Sequence, residues 1–316
     1  MVVGGEAQLI DAERRCARAI EVCPEFSEAH YNMNVVLRRL GRQREAVDMY
    51  WEVLRRRHGI PRPGPAIHHD NNCHSDVEAL PQDEEHGVAV LVVKWGDKYG
   101  PEYVNKLCRS ILRHSTTPID VICLTDDTHG LDMNTANLHC LPLERGWKGW
   151  WNKCQVFAPF VATKVHALGH CKCLYVDLDT VIVGKLCDLL ACDLQQSEHL
   201  ALLRTDGMVN EQRCGGYNSS LMLWSTADDA RLRVVYEYLV AHFEQIGKYI
   251  YKFDHWLEMI IKSVAFLQDL LPQQIVEYSS LDTDEHRLPP EARIVCFPLR
   301  PKPHEATAAW IGQHWQ

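Results

Sequence analysis

The stretch that decides the fold is CLYVDLDTVIV, residues 173–183. A short apolar run rich in Tyr, Val and Leu ends in Asp-Leu-Asp, and a second apolar run follows, which is typical of a buried central strand. Residues i and i+2 of an extended chain point to the same face. The spacing therefore aims the carboxylates of Asp177 and Asp179 at one point, at the carboxyl end of the strand, where open α/β sheets place their ligands.

Two carboxylates aimed at one point indicate a divalent-cation site. Buried side by side they repel each other, and one of them tends to protonate. A bound Mg²⁺ or Mn²⁺ removes that cost, and such ions are usually held by one or two carboxylates together with a substrate's phosphates. The sequence thus predicts a metal–diphosphate site at Asp177 and Asp179, with a solvated Asp-x-Asp turn as the alternative.

The composition is ordinary for a globular chain and argues against several classes of protein. The 316 residues are 46% hydrophobic and 24% charged, with a net charge of −9. This acidic balance, with no basic run beyond residues 55–57, argues against a nucleic-acid surface. No apolar run approaches the length of a membrane span, and the N-terminus lacks the pattern of a signal peptide. We therefore expect a cytoplasmic protein whose thirteen cysteines are mostly reduced and buried.

Residues 1–57 are predicted to be helical and contain an internal repeat. Ala12 recurs as Ala46 at an offset of 34 residues, Tyr50 supplies an aromatic, and Gly41 stands in the turn. This pattern resembles a tetratricopeptide repeat, which implies a helical hairpin and a possible protein partner. Since stacked repeats need neighbours, either upstream repeats are missing or these helices pack on the next domain. A plain helical hairpin is the alternative.

The rest of the chain changes character twice. Residues 58–86 are rich in Pro, Gly, Asn and acidic side chains and are predicted to be a linker. From residue 87 to residue 316, near-continuous apolar strands such as VAVLVVKW (88–95) alternate with helices. This alternation predicts an α/β domain with a largely parallel sheet covered on both faces. One helix is expected over residues 151–165.

Six segments in order carry a family resemblance over residues 88–316. They are VKWGDKYG (93–100), CLTDD (123–127), GWWNKCQ (149–155), DLDT (177–180), YNSS (217–220) and KPH (302–304). Together they resemble glycosyltransferases of the GT-A fold, in which a Rossmann-like nucleotide-binding domain carries an Asp-x-Asp metal motif. The resemblance implies transfer of a sugar from a nucleotide-sugar donor, a UDP-sugar, to an unidentified acceptor.

The same resemblance implies roles for particular residues. Asp177, Asp179 and His304 would hold Mn²⁺ or Mg²⁺. If His304 is not a ligand, Lys302 or Arg300 would instead neutralise the diphosphate. The nucleotide or donor would contact Lys94, Trp95, Tyr99, Asp126, Asp127, Lys153 and Lys302. The sugar or acceptor would contact Trp150, Trp151, Gln155, Gly216 and Asn218, unless the two tryptophans belong to the core. Asp254 would be the general base or acceptor ligand, or else a helix cap.

Two other interpretations stay open. An Asp-x-Asp-Thr between apolar runs also resembles the nucleophile motif of haloacid-dehalogenase-type phosphatases, but that motif belongs on the first strand. The other alternative is a catalytically inactive interaction protein that keeps a glycosyltransferase-like domain. The presence of both Asp177 and Asp179 argues against it.

Overall fold

The computed structural model of the chain describes residues 3–64, 87–135, 137–195, 198–206, 208, 216–281 and 287–316. Most of the predicted linker, residues 65–86, lies outside the described residues.

Three helices form the N-terminal region, where a hairpin was predicted. They are α1 (Val3–Val22), α2 (Ser27–Arg39) and α3 (Gln43–His58). Gly41 between α2 and α3 has φ of 73° and Gly59 after α3 has φ of 66°, a left-handed backbone that glycine adopts without steric cost. Ala46 is fully buried, as expected for a small residue where helices cross. The assignment to the tetratricopeptide class stays a prediction.

A seven-stranded, mostly parallel sheet forms the centre of the molecule. Its strands are β1 (Val88–Lys94), β2 (Ile119–Thr125), β3 (Leu138–Pro142), β4 (Lys172–Val176), β6 (Ala201–Arg204), β7 (Tyr217–Ser225) and β8 (Ala265–Phe266). They lie in the order β3-β2-β1-β4-β7-β6-β8. Strand β7 runs antiparallel to both β4 and β6, and the other neighbours are parallel. The strand that precedes Asp177 is therefore central, as predicted.

A second, three-stranded sheet begins directly after the aspartate pair. It contains β5 (Thr180–Ile182), β9 (Ile275–Glu277) and β10 (Ile294–Cys296) in the order β5-β10-β9. The segment from Asp177 to Asp179 thus connects β4 of the large sheet to β5 of the small sheet. Leu178, between the two carboxylates, is buried and anchors this connection in the core.

Helices cover the sheet. They are α4 (Pro101–His114), α5 (Pro159–Ala167), α6 (Cys187–Ala191), α7 (Asp229–Tyr249), α8 (Phe253–Ile260), α9 (Leu267–Leu270) and α10 (Ile311–His314), with 3-10 segments at Gly149–Phe157, Thr226–Asp228 and Tyr278–Ser280. The single helix expected over residues 151–165 was wrong. It divides at Ala158, which is extended (φ −73°, ψ 146°), because a residue before proline disfavours the helical region.

Both faces of the sheet are buried, in two separate clusters. Val88, Val90 and Val92 of β1 point to one cluster, and the alternate residues point to the other. The second cluster includes Tyr50, Trp51 and Leu54 of α3 together with residues of α7 and α8. Helix α3 therefore shares the core of the α/β part of the chain, and α2 also contacts α7. None of the helices in the described ranges has the length and hydropathy needed to cross a bilayer.

Candidate active site

A cavity of about 340 Å³ lies at the carboxyl ends of β1 and β4. It brings together nine of the predicted site residues: Trp95, Tyr99, Trp150, Lys153, Asp177, Asp179, Asn218, Asp254 and Lys302. They come from segments that are far apart in sequence. The cavity exists because parallel strands end at one edge of the sheet, while the start of β7 and the start of α8 close one side of it.

Asp177 is held by two donors. Lys153 Nζ donates to Asp177 Oδ2 over 2.8 Å, and the Tyr175 hydroxyl donates to Oδ1 over 2.7 Å. Burial raises the pKa of Asp177 and the nearby Asp179 adds to the rise, whereas Lys153 opposes it. For Lys153, burial lowers the pKa, but the carboxylates of Asp177 and Asp254 outweigh it and the pKa is raised. The lysine is therefore held in its charged form beside the carboxylate.

Asp179 is held by a different pair. The Tyr99 hydroxyl and Lys302 Nζ each donate to Asp179 Oδ2 over 2.7 Å. Lys302 Nζ also donates to the backbone oxygen of Phe297 at 2.5 Å, so this lysine ties the C-terminal loop to the aspartate. Burial raises the pKa of Tyr99, and the charge of Asp179 raises it further, which keeps the phenol a hydrogen-bond donor.

The donor atoms fit a hard divalent cation in part. Asp177 and Asp179 supply carboxylate oxygens to one cavity, as Mg²⁺ and Mn²⁺ sites require. In the described ranges, no group of three His, Cys, Asp or Glu side chains is arranged to hold a metal. The remaining coordination would thus have to come from phosphate oxygens and water. A metal would also compete with Lys153 and Lys302 for the two carboxylates.

His304 does not reach the cavity. Its ring is 54% exposed, and Nδ1 shares a hydrogen bond with the Tyr103 hydroxyl. The contacts that connect it to Asp179 run through the rings of Tyr103 and Tyr99, whose centroids lie 4.7 Å apart. The metal-ligand role of His304 stays a prediction that this geometry does not favour.

The start of β7 and the start of α8 form the opposite wall. Asp254 Oδ1 accepts a hydrogen bond from the backbone N–H of Ser219 over 2.9 Å. The carboxylate is thus fixed on the neighbouring strand. Asn218 Oδ1 accepts from the N–H of Ser220 over 2.9 Å. Trp150 stands at the rim, 49% exposed, and its indole N–H donates to the backbone oxygen of Tyr251 over 2.6 Å. An exposed, fixed indole of this kind can stack against a sugar ring.

The other predicted residues lie outside the cavity lining. Trp151 packs against Phe243 with ring centroids 5.8 Å apart, in agreement with the core alternative. Gln155 is fully buried, and its side-chain amide bonds the backbone of Arg145. Gly216 is buried, and its backbone oxygen accepts a hydrogen bond from the N–H of Thr205. These three residues are buried in the protein and do not line the cavity.

Three more predicted residues lie at the ends of β1 and β2, outside the cavity lining. Lys94 is buried as the last residue of β1. Asp126 Oδ2 accepts from the N–H of Gly96 over 2.8 Å, and Asp127 Oδ1 accepts from the N–H of His129 over 2.8 Å. Both aspartates therefore hold loops in place, and their predicted contact with a nucleotide stays a prediction.

Sequence reasoning missed four polar residues of the cavity: Lys98, Ser219, Ser220 and Lys252. Lys98 Nζ lies 4.8 Å from the centre of the Tyr99 ring. Burial lowers the pKa of Lys98, and the positive charge of Lys302 lowers it further. Lys98, Ser219 and Ser220 lie within the quoted motif segments, and this position was the available signal that they belong to the site. No local feature of the sequence indicated that their side chains face the cavity.

Solved structures of glycosyltransferases share this fold. GlyE of Streptococcus pneumoniae TIGR4 matches with a TM-score of 0.50 at 15% identity, over 71% of this chain and 57% of GlyE. The bifunctional glycosyltransferase WbbM gives 0.48 at 14% identity, over 74% of this chain and 52% of WbbM. The galactosyltransferase LgtC, crystallised with donor and acceptor sugar analogues, gives 0.47 at 14% identity, over 71% and 93%.

The similarity to GlyE supports the architecture. The mixed α/β fold with a mostly parallel central sheet is that of GT-A-type glycosyltransferases, as predicted. The chain spans little more than half of the WbbM and GlyE chains that it matches. No protein-family profile matches this sequence, and no curated protein matches it either.

Proposed function

We propose that this protein is a metal-dependent glycosyltransferase that moves a sugar from a nucleotide-sugar donor, a UDP-sugar, to an acceptor. The observation that carries the proposal is the pairing of Asp177 and Asp179 with Lys153 and Lys302 in one cavity at the carboxyl edge of the sheet. Such an arrangement suits a ligand that brings both negative phosphates and a positive metal ion.

The charge of the cavity supports an anionic ligand. Lys98, Lys153, Lys252 and Lys302 line it, against the three aspartates Asp177, Asp179 and Asp254. The cavity therefore has a local excess of positive charge in a chain whose net charge is −9. Ammonium groups with little access to water bind phosphate oxygens by charge-assisted hydrogen bonds. Lys302 and Lys153 would pass from the aspartates to the diphosphate as it binds.

Asp177 and Asp179 would hold the Mn²⁺ or Mg²⁺. The ion would supply Lewis-acid stabilisation of the charge that develops on the departing nucleoside diphosphate. The lysines would add to this stabilisation through charge-assisted hydrogen bonds to the diphosphate. Tyr99 donates to one oxygen of Asp179 and Tyr175 to one oxygen of Asp177, so the two phenols would orient the carboxylates toward the ion.

The wall of β7 and α8 would bind the transferred sugar and the acceptor. Asn218 lines it beside Asp254, whose carboxylate is oriented by the N–H of Ser219. Asp254 would accept the proton of the acceptor hydroxyl, or bind that hydroxyl, as the sugar is transferred. Trp150 at the rim would stack on a sugar ring. The predicted protein partner of the N-terminal helices stays a prediction.

Calorimetric titration of UDP, with Mn²⁺ or with a chelator, tests the proposal. We expect binding that needs the metal and that weakens by about 10-fold or more in Asp179→Ala, because a charged ligand of the metal is lost. Asp193→Ala is the matched control, since this carboxylate is 92% exposed and pairs with Lys172 instead. Binding would be followed by hydrolysis assays with labelled UDP-sugars.

Two outcomes would contradict the proposal. If neither UDP nor a GDP-linked donor binds, the chain is not an active transferase and the inactive interaction protein is favoured. If the titration shows no binding but a phosphate monoester is hydrolysed, the phosphatase interpretation is favoured. That interpretation has little support here, since β1, β2 and β3 of the described ranges precede β4 and the expected motif belongs on the first strand.

A further inference from the structure

A buried ion pair joins the N-terminal helices to the wall of the cavity. Arg38 of α2 and Glu258 of α8 form an ion pair, and their side chains are 1% and 6% exposed. Arg38 Nε also donates to Asn34 Oδ1 over 2.6 Å, and Asn34 Nδ2 donates to the backbone oxygen of Ala46 in α3 over 2.7 Å. These hydrogen bonds to α2 and α3 fix the position of the guanidinium that pairs with Glu258.

Glu258 passes this constraint to β7. Its Oε1 accepts a hydrogen bond from the backbone N–H of Tyr217 over 2.8 Å. One turn earlier on α8, Asp254 Oδ1 accepts from the N–H of Ser219 over 2.9 Å. Residues four apart lie on the same face of a helix, so these two carboxylates bind alternate residues of one strand. Together they fix the position of α8 along β7.

The strand needs this support at its beginning. β4, its neighbour, ends at Val176 opposite Leu221, so Tyr217 and Ser219 extend beyond that pairing. On the other side, the pairing of β7 with β6 shifts register between Leu202 and Leu203. Tyr217 and Asn218 pair with Arg204 and Leu203 of β6, whereas Ser219 lies in the irregularity. Helix α8 therefore bonds β7 where its pairing with the neighbouring strands is interrupted.

These residues carry the cavity side chains. Asn218 and Ser219 line the cavity, and Ser219 Oγ accepts from Lys153 Nζ over 3.4 Å. A shift of α8 would therefore move Asp254 and Asn218 together relative to the aspartate pair. Breaking a buried ion pair leaves an uncompensated charge, which makes such a pair a strict constraint on geometry.

We propose that Arg38 and Glu258 are positioning residues for this site, so that helix α2 of the N-terminal region sets the placement of Asp254 and Asn218. A second contact of the same helix supports this. The Tyr251 hydroxyl donates to Ser27 Oγ over 3.2 Å, and the Tyr251 ring lies 4.7 Å from that of Tyr31. The effect on catalysis rests on the proposed function, whereas the effect on the strand does not.

Amide hydrogen exchange of the full chain tests the placement directly. In Arg38→Met we expect the amides of Tyr217 and Ser219 to exchange about 10-fold faster or more, while those of β1 stay within about 2-fold, because only local opening is affected. Arg42→Met is the matched control: its ion pairs, with Glu13 and Glu45, lie within the N-terminal helices. Arg38→Lys should restore most of the protection because it keeps the charge.

Kinetics supplies the second measurement. We expect Arg38→Met to lower kcat for hydrolysis of a UDP-sugar about 10-fold or more, with KM within about 2-fold, since misplacement by a fraction of an ångström penalises chemistry more than binding. If the unmodified protein does not bind UDP, the proposed function fails, and the exchange experiment still decides the placement.

Three results would overturn the inference. The first is unchanged exchange at Tyr217 and Ser219 in Arg38→Met. The second is faster exchange that is equal in β1 and β7, which would mean a general loss of stability. The third is a rise of KM with unchanged kcat. If Arg38→Met does not fold, Glu258→Gln replaces it, because the amide keeps an acceptor for Tyr217 but loses the charge; unchanged exchange in that variant also overturns the inference.

Discussion

Replacement of Lys302 by methionine should affect metal and nucleotide binding in opposite directions. Lys302 Nζ lies 2.7 Å from Asp179 Oδ2, and the two side chains are 12% and 13% exposed. A hydrogen bond to a charged group contributes about 1.5–3 kcal/mol to binding, which is about 10- to 150-fold in affinity at 25 °C. Lys302→Met should weaken UDP binding by a factor in this range, because one ammonium contact to the diphosphate is lost.

Binding of Mn²⁺ without nucleotide should instead become tighter in the same variant. In this variant the ion no longer has to displace the Lys302 ammonium from Asp179. Both the repulsion between the ammonium and Mn²⁺ and the competing hydrogen bond to the carboxylate are removed. Electron paramagnetic resonance of free Mn²⁺ gives the affinity for the ion, and calorimetry gives the affinity for UDP. The reasoning is refuted if UDP affinity is unchanged or if Mn²⁺ affinity falls.

Two further variants separate charge from loop structure. Lys302 also donates to the backbone oxygens of Phe297 and Pro298, so its loss also removes two contacts of the C-terminal loop. Lys302→Arg keeps the charge, and we expect it to bind UDP within about 5-fold of the unmodified protein. Lys185→Met removes an exposed lysine and should change neither affinity.

The remaining predictions concern stability and the reaction. Trp51→Ala should lower the free energy of unfolding by about 3–5 kcal/mol, with one transition in denaturant titration, because Trp51 belongs to the shared core. Asp254→Asn should lower kcat about 100-fold or more while the Kd for UDP stays unchanged in calorimetry. Burial raises the pKa of Asp120, but hydrogen bonds from His139 and His170 outweigh it and lower the pKa. The stabilisation by Asp120 is therefore present above about pH 4 and lost below it, so the Tm difference between the unmodified protein and Asp120→Asn should shrink in melts at lower pH.

Much of the sheet was predictable because it is buried on both faces. Val88–Lys94 and Ile119–Thr125 are nearly continuous apolar runs, and such runs in alternation with helices indicate parallel strands. The position of Asp177 followed from the end of the apolar run. The direction of β7 did not follow from the sequence, because hydrophobic pattern reports burial and carries no information about the neighbouring strand.

The incomplete agreement at the site has physical causes. Trp151 and Gln155 lie in the same motif segment as Trp150 and Lys153, but successive residues of a helical segment point in different directions, so only some of them face the cavity. His304 is close in sequence to Lys302, yet its ring is turned toward Tyr103. Such orientations depend on long-range packing, which one sequence does not reveal.

The aspartate pair lies on the connection from β4 to β5, and the backbone of each aspartate is hydrogen-bonded on a different side of it. Asp177 is bonded to the large sheet through the Ser220 backbone oxygen, while the backbone oxygen of Asp179 accepts from the N–H of Phe297, just after β10. A ligand that bridges both carboxylates would act as a cross-link between the two sheets. Its binding should then protect residues 275–281 and 287–297 from limited proteolysis as well as raise the Tm.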